Sequence, residues 1–428
     1  MNTLVIGFVG LTHLGLNSAI ASAARGFHVL GYSDESELVS DLNRGVLPIE
    51  EPQLEELLAS NTSRLTFSCN PECLSSCAIV YISTDIPTDY SGESDLTPIR
   101  HMIKIATENM RADALLVILC QVPPGFTRLI AWPAYQLYYQ VETLIFGRAV
   151  ERALHPERFI VGCASSLQPI DIRLLGYLQT FDCPILPMKY ESAELAKISI
   201  NIFLVASVTI ANTLAELCEQ IGADWSEIVP SLRLDKRIGN YAYLNPGLGI
   251  SGGNLERDLS TVMTYAQKHN TDASIVAAAV AHSRYCKNWV WRKLNAFVLA
   301  QNPHAQICLL GLTYKEDTHS TKNSASLDLL EHLNKANVSI FDPRAAVDAG
   351  GPNVRRMHTL LDALSGADVV LIMTPWEQFR TITAENLLSR MRGSVVIDPY
   401  RMLSRIKLES RGFTYVTLGA PISIKRGH

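Results

Sequence analysis

Gly10-Leu11-Thr12-His13-Leu14-Gly15 lies between an apolar run, residues 3–10, and an alanine-rich stretch that includes Ala19, Ala21, Ala23 and Ala24. Its spacing is that of G-x-G-x-x-G. There the first glycine permits a tight turn, the second lets backbone approach a pyrophosphate, and the third allows close packing of helix on strand. Unpaired N–H groups at the start of the helix then face the anion. Thr12 replaces the second glycine. Its β-branched side chain either pushes the pyrophosphate outward or donates its hydroxyl to it. The bland alternative is a plain strand–helix turn; placement between strand and helix favours a dinucleotide site made by residues 10–15. The second strand should end in an acid for the ribose hydroxyls. That position holds Ser33, followed by Asp34 and Glu35. Loss of the acid leaves NADP open, whereas the two carboxylates next to it favour NAD.

The nine cysteines offer a second kind of chemistry. Cys69, Cys73 and Cys77 recur every four residues. Zinc sites pair C-x2–4-C with a second pair downstream, and none follows, so no metal is expected. An odd thiol count in a large chain with no charged leader before the first strand reads as free cysteines in a reducing cytoplasm.

The elements that must position these residues come in three blocks. His28–Tyr32 completes a βαβ opening of about 30 residues. Ala78–Ser83 and Leu115–Leu119 read as buried strands, and 97–110 has helical period. Strands alternating with helices imply a parallel sheet covered on both faces. One long helix is expected from Glu191 to about Glu219. Its most apolar part, 198–215, is interrupted by Ser199, Asn201, Ser207, Thr209, Asn212 and Thr213. It reads as a buried helix rather than a membrane span. After the glycine-rich loop Asn245–Gly253, strands return at Ala305–Leu310, Val338–Phe341, Ala367–Met373 and Ser394–Ile397, with a helix at Ser324–Ala336. The expected fold is α/β, with two Rossmann-like doubly wound domains joined by a long central helix. The expected boundaries are 1–190, 191–300 and 301–428. With 428 residues, 47% hydrophobic, 18% charged and a net charge of −5, the chain suits neither nucleic acid nor an anionic membrane surface as a partner.

Several segments together resemble the nucleotide-sugar dehydrogenases, the UDP-glucose and GDP-mannose 6-dehydrogenase family. They are the opening Gly-Phe-Val-Gly-Leu, Leu47-Pro-Ile-Glu-Glu-Pro52, Val122-Pro-Pro-Gly125, His155-Pro-Glu157, Ala193-Glu-Leu-Ala-Lys197 with Asn201, Arg237-Ile-Gly239, Gly311-Leu-Thr-Tyr-Lys315 and Thr374-Pro-Trp376. They span the whole chain in family order. The resemblance implies an N-terminal NAD-binding domain, a central helix forming a homodimer core, a C-terminal sugar-nucleotide domain and an active site in the cleft between domains. Such enzymes oxidise the C6 alcohol to a carboxylate with two NAD, through an aldehyde and a cysteine-bound thioester.

Carried over residue by residue, the resemblance implies Lys197, Asn201, Asp258, Asn254 and Glu157 as catalytic positions. Lys197 and Asn201 are four apart, so they share one helix face and could stabilise an oxyanion at C6. Thr84, Gln121 and Lys322 join residues 10–15, Ser33 and Asp34 on the cofactor side. Arg237, Tyr243, Gly249, Tyr314, Lys315 and Arg401 fall on the substrate side, where an ammonium suits a diphosphate.

The departures bear on the chemistry. The family keeps its nucleophilic cysteine in Gly-Gly-x-Cys-Leu-Pro-Lys-Asp; here the segment is Ser251-Gly-Gly-Asn254-Leu-Glu-Arg-Asp258. An amide nitrogen is delocalised and cannot form the thiohemiacetal from which the second hydride leaves. Cys120-Gln121 replaces a Ser-Thr pair, and a second family glutamate, four after Glu157, falls on Val161. Lys322 lies in a segment, His319–Ser324, that departs from the family's cofactor motif, and Arg401 stands one place beyond a late Asp-x-Arg. Three readings follow: an oxidoreductase that transfers hydride without a thioester, an ordinary 6-dehydrogenase that hydrates its aldehyde directly, or a non-catalytic binding homologue.

Overall fold

The apolar run at the start of the chain becomes β1 (Val5–Val9), and the next becomes β2 (His28–Tyr32). The first sheet continues with β3 (Leu65–Ser68), β4 (Ile79–Ile82), β5 (Leu115–Ile118), β6 (Leu137–Gln140), β7 (Phe159–Cys163) and β8 (Ile185–Lys189). These come from a computed structural model that describes residues 4–89, 94–345 and 351–422. The spatial order is β3-β2-β1-β4-β5-β6-β7-β8. Its first six strands are parallel and follow the 3-2-1-4-5-6 order of dinucleotide-binding sheets, while β7 runs antiparallel to β6. β4 and β5 are buried along their whole length, which is why they read as unbroken apolar runs.

The second sheet contains β9 (Gln306–Leu310), β10 (Asn337–Phe341), β11 (Val354–Arg356), β12 (Val369–Ile372), β13 (Val395–Ile397) and β14 (Thr414–Val416). Its order, β11-β10-β9-β12-β13-β14, repeats the doubly wound pattern. The expected helix at 324–336 is shorter, Ala325–His332; the residues after it form a turn into β10.

The chain divides into two compact units, Met1–Ile200 and Asn201–His428. The boundary falls within the central helix, Tyr190–Ile221, 32 residues long. In the second unit, Trp289, Val290 and Leu294 pack with Ile307 and Leu309, so the helical segment and the second sheet share one core. The central helix is long and apolar enough to cross a membrane, and only 33% of its most apolar stretch is buried within this chain. It was expected to be buried, but burial holds for one face only: Val205, Ala211, Ala215 and Cys218 are covered, whereas Phe203, Ile210, Leu214, Leu217 and Ile221 are exposed. All nine cysteines are free thiols. Burial pushes the Cys77 thiol up to about 12, which makes it inert at neutral pH.

Candidate active site

The turn after β1 leaves no room for side chains. Gly10 has φ +95, and a Cβ there would lie 2.7 Å from the backbone of Thr84. A Cβ on Gly15 would lie 2.0 Å from the Gly10 carbonyl oxygen. The helix His13–Ala24 therefore starts pressed against β1 and β4. Thr12 precedes it with extended backbone and does not cap it. Its hydroxyl donates to the Ser83 carbonyl at 3.1 Å, so the side chain is folded onto the sheet edge. The N–H groups of the first turn thus carry no side-chain cap, which suits a pyrophosphate. Leu11 and Leu14 are buried core residues. β2 ends at Tyr32, so Ser33 and Asp34 lie beyond the strand. Ser33 is buried and its hydroxyl accepts from the Glu35 N–H at 3.3 Å. The Asp34 carboxylate stands half-exposed, 3.7 Å from His101 Nε2. Thr84 follows β4, and Gln121 follows β5 and is half-buried. Two glycines that admit no side chain and an uncapped helix start at the carboxyl edge of a 3-2-1-4-5-6 sheet fit a dinucleotide.

Lys197 projects from the central helix with 13% of its side chain exposed, and its Nζ lies 3.4 Å from Glu142 Oε1. Glu157, expected at the reacting end of the sugar, is not the carboxylate paired with this lysine. Glu157 is an exposed carboxylate held by Arg152 at 3.2 Å and Arg158 at 2.8 Å. Its hydrogen bond from Arg152 holds its pKa below the usual range. The carboxylate facing the lysine is Glu142, two residues past the end of β6. The sequence signal was an acid directly after a strand at the carboxyl edge of a parallel sheet, where such sites form. Four residues beyond Glu142 stands Phe146, not a second acid.

Glu194, one turn before Lys197, was not recognised from sequence. It is fully buried and accepts from the N–H groups of Gly125 (2.5 Å) and Thr127 (2.8 Å). It fastens the Val122-Pro-Pro-Gly125 loop to the helix that carries the lysine. Burial pushes its pKa up, against the pull of those N–H donors.

In the second unit, Asn201 donates through Nδ2 to Asp258 Oδ2 at 2.5 Å. Asp258 is 1% exposed, with Arg257 Nε 3.8 Å from its other oxygen. Asn254 is the first residue of the helix Asn254–His269, one turn before Asp258, and is exposed. The two preceding glycines are braced from the segment after β9. The Gly252 N–H donates to the Lys322 carbonyl at 3.0 Å. A Cβ on Gly252 would meet the Tyr314 ring at 3.0 Å, and one on Gly253 would meet Lys322 Nζ at 3.2 Å. Lys322 and Tyr314, expected on the cofactor and substrate sides, thus sit against the same glycine pair. Burial and then Glu316 raise the Tyr314 pKa, so its phenol remains a donor. Lys315 is half-buried beside it. Gly249, at φ +78, is required by the backbone: a Cβ there would lie 2.5 Å from the Ser283 carbonyl oxygen. Arg237 pairs with Asp235 at 2.6 Å, Arg401 with Asp224 at 2.7 Å, and Tyr243 is exposed.

Asp342, directly after β10, holds the Gly311–Lys315 loop in shape. Its carboxylate accepts from the N–H groups of Leu312 (2.6 Å), Thr313 (3.1 Å), Arg344 (2.8 Å) and Ala345 (2.6 Å). Burial alone would raise its pKa; the N–H groups of Ala345, Leu312, Arg344 and Thr313 outweigh it and hold the pKa below the usual aspartate value. A depressed carboxyl pKa contributes stability that is present above the unfolded value and lost as pH falls through the folded one. Asp342→Asn turns a donor toward donors and should cost about 2–4 kcal/mol in urea unfolding at neutral pH. A cost below about 0.5 kcal/mol, the size of an ordinary surface substitution, contradicts this role.

Comparisons with known proteins span nearly the whole chain. Residues 4–171 match the NAD binding domain of the UDP-glucose/GDP-mannose dehydrogenase family, residues 191–284 its central domain and residues 308–405 its UDP binding domain. UDP-glucose 6-dehydrogenase TuaD of Bacillus subtilis (strain 168) is 26% identical, over 97% of this chain and 93% of that protein. UDP-glucose 6-dehydrogenase of Rhizobium meliloti (strain 1021) is 27% identical, over 97% and 99%. The structure of a UDP-glucose dehydrogenase from Pyrobaculum islandicum superposes with a TM-score of 0.83 at 25% identity, covering 98% of each chain. A UDP-D-ManNAc dehydrogenase from Pyrococcus horikoshii shares the fold, with a TM-score of 0.84 at 24% identity over 97% and 99%. The chain belongs to the UDP-glucose/GDP-mannose dehydrogenase family and is an NAD-dependent nucleotide-sugar oxidoreductase.

Proposed function

We propose that this chain acts on a UDP-sugar by hydride transfer without a covalent thioester, giving an aldehyde, a keto sugar or a redox-neutral product. One observation carries the reading: the helix start where the family resemblance places a thiol presents Asn254, above a buried Asp258 that Asn201 holds at 2.5 Å. Bound NAD would supply the acceptor for a hydride from the carbinol carbon. The hydroxyl proton would leave to the Lys197–Glu142 pair or to Asp258 as the carbonyl forms, so that one hydride and one proton are accounted for. Asn201 and Asn254 offer hydrogen bonds to the sugar oxygen, and Lys315 and Tyr314 suit the diphosphate. Residues 10–15, with Thr84 and Gln121, would hold NAD.

The reading assigns 1–190 to cofactor binding, 191–300 to dimerisation and 301–428 to the sugar nucleotide. The exposed stripe Phe203, Ile210, Leu214, Leu217 and Ile221 would be covered by a second copy. A second reading, formation of the uronic acid by direct hydration of the aldehyde, draws support from the named 6-dehydrogenase relatives. Counting NADH per sugar nucleotide consumed separates the two: at most one on the first reading, two on the second.

A further inference from the structure

Glu51 has no role in the chemistry above, yet only 1% of its side chain is exposed. Its carboxylate joins two segments that the reaction needs. His13 Nε2 lies 2.7 Å from Oε1, and the Gly147 N–H donates to the same oxygen at 2.9 Å. The Ala149 N–H, at the start of the helix Ala149–Leu154, donates to Oε2 at 3.2 Å. The Phe146 ring packs against the His13 imidazole, with centroids 4.0 Å apart and the planes tilted by 31°. His13 opens the helix whose N-terminus forms the dinucleotide turn. Gly147 and Ala149 end the segment that begins at Glu142, the partner of Lys197. A buried carboxylate depends on each of its few donors, because losing one leaves charge uncompensated.

We infer that Glu51 and His13 are positioning residues that tie the Glu142 segment to the occupancy of the dinucleotide turn. A pyrophosphate on the first-turn N–H groups fixes the backbone of His13. The fixed imidazole then holds Glu51 and Phe146, and through them residues 142–149. The Glu142–Lys197 pair is thereby set when the cofactor is in place. This inference rests on NAD occupying the turn.

Hydrogen exchange with NAD alone, without sugar nucleotide, tests it. In the wild-type protein NAD should slow exchange at residues 11–16 and, by about tenfold, at 142–149. In Phe146→Ala, which removes a ring that is 45% exposed and outside the residues that would hold NAD, 11–16 should still be protected while 142–149 stays within about twofold of its cofactor-free rate. Phe146→Leu, which restores an apolar partner for the imidazole, should regain most of the protection. Glu51→Gln, which turns an amide donor toward its donors, should lose the coupling as Phe146→Ala does. Wild-type protection at 11–16 without 142–149, or undiminished coupling in Phe146→Ala or Glu51→Gln, overturns the inference alone. Absence of protection at 11–16 overturns it together with the cofactor site.

Discussion

Gly15→Val should abolish NAD binding, raising Kd by about a hundredfold or more, near 3 kcal/mol. The cause is steric and lies in the backbone. The first added carbon would sit 2.0 Å from the Gly10 carbonyl oxygen and 2.8 Å from the Ser83 hydroxyl. A flexible side chain could move aside, but a peptide carbonyl in a turn at φ +95 cannot without remaking the turn. The helix must lift from β1, and its first-turn N–H groups leave the place where a pyrophosphate would meet them. Calorimetric titration with NAD reads the effect directly, with urea unfolding to separate it from loss of fold. An affinity within about threefold of wild type, less than 1 kcal/mol, would remove this turn from the cofactor site.

Lys197→Ala should lower kcat/KM by about a hundred- to a thousandfold, some 2.7–4 kcal/mol, the range seen when a donor to a developing oxyanion is deleted. Calorimetric affinity for the sugar nucleotide should change little, since the lysine is assigned to the reacting oxygen and not to the diphosphate. The lysine is almost covered and has a carboxylate 3.4 Å away, so it is held rather than mobile in solvent. The assignment of Glu142 over Glu157 makes the test sharper. Glu142→Gln should fall with the lysine variant, whereas Glu157→Gln, on an exposed side chain between two arginines, should leave turnover unchanged. A loss under about threefold for Lys197→Ala, or a large loss for Glu157→Gln, rejects the assignment.

These two sites show what could be read from residues alone. The dinucleotide turn was legible because its glycines recur at a fixed spacing: Gly15 is pressed by the Gly10 carbonyl, within the turn itself, even though Gly10 is pressed by Thr84 from just beyond the neighbouring strand. The strands buried on both faces were legible as unbroken apolar runs. β8, half-exposed and containing Pro187, carries no such run and was not expected. Glu142 was missed and Glu157 preferred because His155-Pro-Glu157 matches a short pattern, while the choice between them depends on which strand end faces the central helix. Thr12 was expected to meet the phosphate path. Its hydroxyl instead takes the nearest acceptor, a carbonyl at the end of β4, which sequence does not place beside it. Glu51 lay within a quoted motif without a role, since its donors come from 38 and 98 residues away.

If this chain stops short of the four-electron oxidation to a uronic acid, the stoichiometry of reduced cofactor shows it most directly. UDP-glucose and related UDP-sugars would each be incubated with enzyme and excess NAD, and NADH counted against sugar nucleotide consumed. One NADH per molecule is expected when the product is an aldehyde or keto sugar, and none when hydride is returned. Two NADH per molecule with a uronic acid as product would contradict this reading, and a sugar acyl mass on the quenched protein would contradict the absence of a thioester as well.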